Sequence, residues 1–183
     1  MSTSTLQQQL GYSPNARLVI AHIDDIGMHR DETEGSLDAL RFGPAKCGSA
    51  MVPCPDFERF AEIWRAEPSL DIGVHLTLTS EWERYRWKGV LPRDEAPSLY
   101  DEEGFLWKDQ KLFLEHADPA DVEGEMEAQV QTVLDAGLSP THIDPHMYTV
   151  FHRREMVESV LRIAERHNVV VPFAPPGRLE EFR

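Results

Sequence analysis

The chain has 183 residues, 41% hydrophobic and 27% charged, a balance that suits one buried core and a single domain rather than a disordered segment. Its formal charge of -14 would be repelled by a nucleic-acid backbone or an anionic membrane, so neutral or cationic partners are expected instead. The first residues are polar with no basic start, and the apolar run at 18–23 is too short for a membrane span or a signal core, which predicts a soluble cytoplasmic protein.

In chain order, residues 17–23 form a mostly apolar run suited to a strand buried on both faces, ending in Asp24-Asp25-Ile26-Gly27. A helix over 30–42 stops at Gly43-Pro44, where a glycine is followed by a residue that cannot continue it. Residues 47–52 read as a second strand closed by Pro53 and Pro55. Cys47 and Cys54 flank it and are expected to be reduced core residues. Asp56 is positioned to cap a helix whose Phe57, Phe60, Ala61 and Trp64 share one apolar stripe.

Residues 71–79, containing Gly73-Val74-His75, supply a third strand. Periodicity then disappears until about 117, so 80–117 reads as a lid-like insertion. Asp118 and Pro119 start a helix that carries Val122, Met126, Val130, Val133 and Leu134 and ends at Gly137. Residues 141–147 are a fourth strand, 154–167 a helix and 169–173 a fifth strand.

Such alternation implies an α/β architecture with a parallel sheet, open or curled into a barrel, and in either case ligands bind beyond the carboxyl ends of the strands. Three blocks fall there: Asp24-Asp25, His75, and His142-Ile143-Asp144-Pro145-His146. Two imidazoles and a carboxylate around a divalent metal leave one position for water and lower its pKa toward about 7, while a second carboxylate takes its proton. Neighbouring Asp24 and Asp25 suit that division, one as ligand and one as base.

Plainer readings stand beside this one: Asp-Asp-x-Gly is a common turn, and a histidine in an apolar strand is often a satisfied core residue. By period two, His142, Asp144 and His146 share a strand face, which is costly to bury without a metal or a network. Asp144 fits either an orienter of a ligating histidine or a structural partner. His22, His29, His116, His152 and His167 are expected at the surface or in packing.

Taken together, Ala21-His22-Ile23-Asp24-Asp25-Ile26-Gly27, Ile72-Gly73-Val74-His75-Leu76-Thr77-Leu78-Thr79, Ser98-Leu99-Tyr100-Asp101-Glu102-Glu103-Gly104-Phe105, residues 125–129 and Pro140-Thr141-His142-Ile143-Asp144-Pro145-His146 resemble the YdjC-type carbohydrate deacetylases, which include chitooligosaccharide deacetylases. The resemblance implies a distorted TIM-like barrel with mainly parallel strands, a divalent metal (zinc or magnesium), and removal of N-acetyl groups from small carbohydrates. It matches Asp25, His75 and His146 to the metal ligands and Asp24 to the catalytic base. His142 and Asp144 would stand behind those ligands.

The chain departs from the pattern in having His146-Met147-Tyr148 where many members have His-Gln-His, so Tyr148 would replace a substrate contact. It also stops soon after the fifth strand, whereas such a barrel typically takes about 250 residues, so an incomplete barrel with a short C-terminus is expected. An uncovered sheet edge would suit a homodimer. Within the insertion, Trp82, Tyr85 and Trp87 offer aromatic faces for a sugar ring, or else anchors for the loop itself. The rival to a deacetylase is a catalytically silent carbohydrate-binding or interaction protein on the same scaffold. A different amide or phosphoester hydrolase fits less well, since few basic groups lie near the blocks.

Overall fold

The computed structural model describes residues 5–172. A short helix α1 (Leu6–Gln9) precedes strand β1 (His22–Ile26), after which the chain alternates through α2 (Arg30–Phe42), β2 (Cys47–Ala50), α3 (Phe57–Ala66) and β3 (Asp71–Leu76). Helices α4 (Gln110–His116) and α5 (Pro119–Asp135), strand β4 (Ile143–Pro145) and helix α6 (Arg154–His167) complete it. All strand pairs are parallel and the order is β1-β2-β3-β4. Each strand lies beside its predecessor, the winding of a (β/α) barrel rather than the reversing order of a doubly wound sheet. Beyond β4, Val170 makes one parallel bridge to His142, so the expected fifth strand is reduced to that contact and its last residue, Phe173, lies outside the described residues.

The helix signals translate directly. Arg30–Phe42 has the expected bounds, and Gly43 donates its amide to Ala39 at the end. Asp118 caps α5 by accepting from the Ala120 amide, with Pro119 in the first turn where no amide is needed. The α3 stripe of Phe57, Phe60, Ala61 and Trp64 is buried, and each large side chain contributes roughly 1.5–3 kcal/mol of apolar burial. Asp56 does not cap α3; its carboxylate takes a paired bond from Arg59 at 2.9 and 2.8 Å, a stronger partner than a backbone amide. Both cysteines are buried and free.

The strand boundaries shift. Val19 and Ile20 are exposed and unpaired, and β1 begins at His22 and carries both aspartates. The run at 17–23 is thus not a doubly buried strand, because no element among the described residues covers it. β3 ends at Leu76 and β4 at Pro145, both short of expectation. His146 consequently leaves the strand face shared by His142 and Asp144 and opens a 3-10 segment, His146–His152.

The insertion is built rather than open. It contains a 3-10 turn at Pro97–Leu99 and α4, a helix hidden from periodicity by its length but signalled by Asp109, which caps it. Glu125 of α5 is fully buried and accepts from the amides of Val90 and Leu91 at 2.8 Å and from Gln129 at 2.8 Å. Gln129 in turn bonds the backbone of Thr77 in both directions, fastening loop, helix and strand end together. No helix among the described residues is long and apolar enough to cross a membrane.

Candidate metal centre

A bulge between Ile23 and Ile26 interrupts the pairing of β1 with β2, and Asp25 sits within it at φ 63. Left-handed backbone is uncommon outside glycine, though aspartate tolerates it better than most residues, and it turns Asp25 away from Asp24. Asp25 Oδ1 then lies 3.2 Å from His75 Nε2 and 3.1 Å from His146 Nδ1. His146 reaches it because Met147 and Tyr148, at φ 54 and 55, reverse the chain just after β4. Gln110 of α4 donates to the Met147 carbonyl and fixes that reversal.

Each histidine uses its other nitrogen on a carboxylate. His75 Nδ1 lies 3.0 Å from Asp144 Oδ2 and 3.1 Å from Ser49 Oγ, and His146 Nε2 lies 3.1 Å from Glu81 Oε1. In the tautomers that donate to Asp144 and Glu81, the protons sit on His75 Nδ1 and His146 Nε2, the arrangement a ligating imidazole needs. The lone pairs of His75 Nε2 and His146 Nδ1 are left facing Asp25 Oδ1, a buried oxygen with no hydrogen-bond partner. Converging lone pairs repel one another, and a cation among them removes the repulsion. The donor atoms of Asp25, His75 and His146 all lie within 4.8 Å of one another, so the residues fit a divalent metal, each histidine braced by a carboxylate as ligating imidazoles usually are.

The electrostatics agree. Burial works against the charged form of Asp25, but the adjacent His146 and His75 imidazoles outweigh it and hold the carboxyl well below its usual range. Burial likewise opposes a charged His75, and Asp144 and Asp25 reverse that, pushing it up to about 10. A field that favours an imidazolium favours a bound cation as well.

The remaining expected residues are distributed unevenly. Asp24 is exposed, accepts from His22 Nδ1 at 2.8 Å, and offers an oxygen within 4.8 Å of donor atoms of His75 and Asp144. Trp82, 57% exposed, lines a cleft of about 720 Å³ together with Asp25, Met28, Glu81, Arg84 and His146. Tyr85 donates to the Met28 carbonyl at 2.8 Å. Trp87 is 3% exposed and donates to the Thr79 carbonyl, so it braces the loop from inside and offers no face to a sugar. Tyr148 is exposed beside the reversal, its ring tilted on Phe151. His142 lies beside His22 rather than at the centre. Sequence reasoning missed Glu81, Ser49 and His22. For Glu81 the signal was position alone, immediately past the end of a ligand-bearing strand.

A family model described as YdjC-like protein matches residues 18–182. A carbohydrate deacetylase of Thermus thermophilus is 35% identical over 170 residues, covering 93% of this chain and 58% of that protein. A carbohydrate deacetylase of Enterococcus faecalis is 33% identical over 156 residues, covering 85% of this chain and 57% of its own length. A crystal structure from Enterococcus faecalis, of a protein provisionally described as a cellobiose-phosphate cleavage protein, superposes with a TM-score of 0.79 at 30% identity, over 89% of this chain and 61% of that one. This chain therefore spans under two thirds of the length of these relatives. With the profile matched along nearly all of its length, and the paired aspartates and two histidines meeting at the strand ends, the chain belongs to the YdjC-like family.

Proposed function

We propose that the chain carries the metal-binding and water-activating part of a carbohydrate deacetylase, a hydrolase that releases acetate from N-acetylated sugars of the N-acetylglucosamine or chitooligosaccharide type. The observation that carries this reading is the convergence of Asp25, His75 and His146, with each imidazole braced on its far side by a carboxylate. These residues would hold zinc or magnesium; when bound, such an ion polarises a carbonyl and makes a neighbouring water more acidic.

Asp24 is the base in this scheme. Its carboxylate is open to solvent, close to His75, and oriented by His22, so it can accept the proton of the attacking water. Trp82, with Arg84 nearby, gives the cleft an apolar ring face beside a charge, an arrangement suited to a sugar ring and its hydroxyls. Tyr85 keeps the cleft wall in place through Met28, and Tyr148 stands where a further substrate contact would fall. A reducing cytoplasmic setting suits the two free buried thiols.

The test is acetate release from N-acetylglucosamine oligomers with and without a chelator. Release should depend on added zinc or magnesium, and Asp24→Asn should retain the metal while losing turnover by 100-fold or more, on the order of general-base contributions. Sugar binding with no acetate released under any metal loading would replace the enzyme by a silent carbohydrate-binding protein. A fully active Asp24→Asn variant would remove Asp24 from the base role.

A further inference from the structure

A second pair of histidines lies outside the cleft lining but next to the Asp25 centre, through Asp144 and Asp24. His22 at the start of β1 and His142 just before β4 bring their Nε2 atoms to 2.9 Å. Their protonation follows from what each Nδ1 touches. His22 Nδ1 faces Asp24 Oδ1 at 2.8 Å, and a carboxylate can only accept, so His22 carries its proton on Nδ1. His142 Nδ1 faces Thr141 Oγ1 at 2.8 Å, and that hydroxyl gives its single proton to Asp71 at 2.5 Å, leaving it only as acceptor. His142 therefore also carries its proton on Nδ1. Two lone pairs then point at each other across a hydrogen-bond distance.

Either a shared proton or a cation resolves this contact, and Asp144 discriminates between them. One Asp144 oxygen is taken by His75, and the other, Oδ1, is buried with no hydrogen-bond partner. Donor atoms of His22, His142 and Asp144 all lie within 4.8 Å of one another. A proton between the imidazoles would leave the Asp144 oxygen orphaned, whereas a cation uses all three atoms. The nitrogen spacing also fits: with metal–nitrogen bonds of about 2.0–2.1 Å, cis ligands stand roughly 2.9–3.4 Å apart. Space for His142 is provided by Gly73, where a Cβ would sit 2.5 Å from the ring and from the His142 carbonyl.

The geometry points to a second divalent-cation site, formed by His22 Nε2, His142 Nε2 and an oxygen of Asp144, for imidazole-preferring ions such as zinc or cobalt rather than magnesium. Asp144 then joins the two centres, holding His75 with one oxygen and the second ion with the other.

Calorimetric titration of the metal-stripped protein with zinc tests it. Wild type should take up two equivalents, His146→Ala one, and the double variant His22→Gln, His142→Gln one. His142→Cys, which keeps a soft ligand, should retain the second equivalent that His142→Gln loses, separating ligation from a folding defect. A single wild-type equivalent, lost in His146→Ala and kept in the double variant, would assign the contact to a shared proton and overturn the second site. Two equivalents persisting in His146→Ala would count against the first centre and leave this one standing.

Discussion

The strand ends and the 80–117 segment are both irregular, for different reasons. At the strand ends irregularity aims donors: a bulge and a left-handed Asp25 at β1, and a left-handed pair after His146 at β4. In the insertion, irregularity is tolerated because side chains replace a ladder. Glu125, Gln129 and Ser80 take the backbone groups that no strand pairs, and Arg86 reaches Asp101 and the Leu106 carbonyl at 2.7 and 2.6 Å. The two regions meet at Glu81, which the insertion supplies and His146 uses. The proposed metal centre would thereby be coupled to loop conformation, and the sharpest experiments separate the two.

The largest effect is expected from Glu125→Ala. It strands the Val90 and Leu91 amides and the Gln129 side chain in a buried place, at roughly 1–3 kcal/mol for each unmet group, so a loss of about 4 kcal/mol is expected in urea unfolding. If the insertion were a loose flap, the same variant would cost little. Next comes Gly73→Ala, whose Cβ has no room beside His142; displacing that ring and its backbone should cost about 2 kcal/mol, read as a lowered midpoint. A Gly73→Ala protein of wild-type stability would mean that the β3–β4 contact is looser than its geometry. Glu81→Ala isolates the coupling itself: without its brace, His146 should bind zinc 10- to 100-fold more weakly at the Asp25 centre while the fold persists.

How far the sequence alone carries differs between the same two regions. Helices α2 and α5 were legible from a glycine stop or a cap, α6 from apolar spacing alone, and the convergence of Asp25, His75 and His146 was legible because chemistry-bearing residues sat where parallel strands run out. The insertion was not, since Glu125 reads as an ordinary helix-surface glutamate until the loop it receives is in place. Trp87 shows the same limit: composition left a sugar platform and a loop anchor open, and the fold uses the ring as the anchor. His22 looked like a spare histidine because its meaning depends on a partner 120 residues away.

The smallest effect is expected at Asp56, whose amide donates to the Gly27 carbonyl just past β1 and whose carboxylate is held by Arg59. Burial alone would raise this carboxyl, but the paired bond from Arg59 outweighs burial and lowers it below its ordinary value. A carboxyl depressed in the folded state contributes stability that is complete above its unfolded value near about 3.9 and lost as pH falls through the folded one. Asp56→Asn should therefore cost about 1 kcal/mol at neutral pH, and the gap from wild type should close on acidification below about pH 4. Urea midpoints at both pH values check the sign. A gap independent of pH would show that the amide disturbs packing at the start of α3, because a lost ion pair must vanish once the carboxyl is protonated.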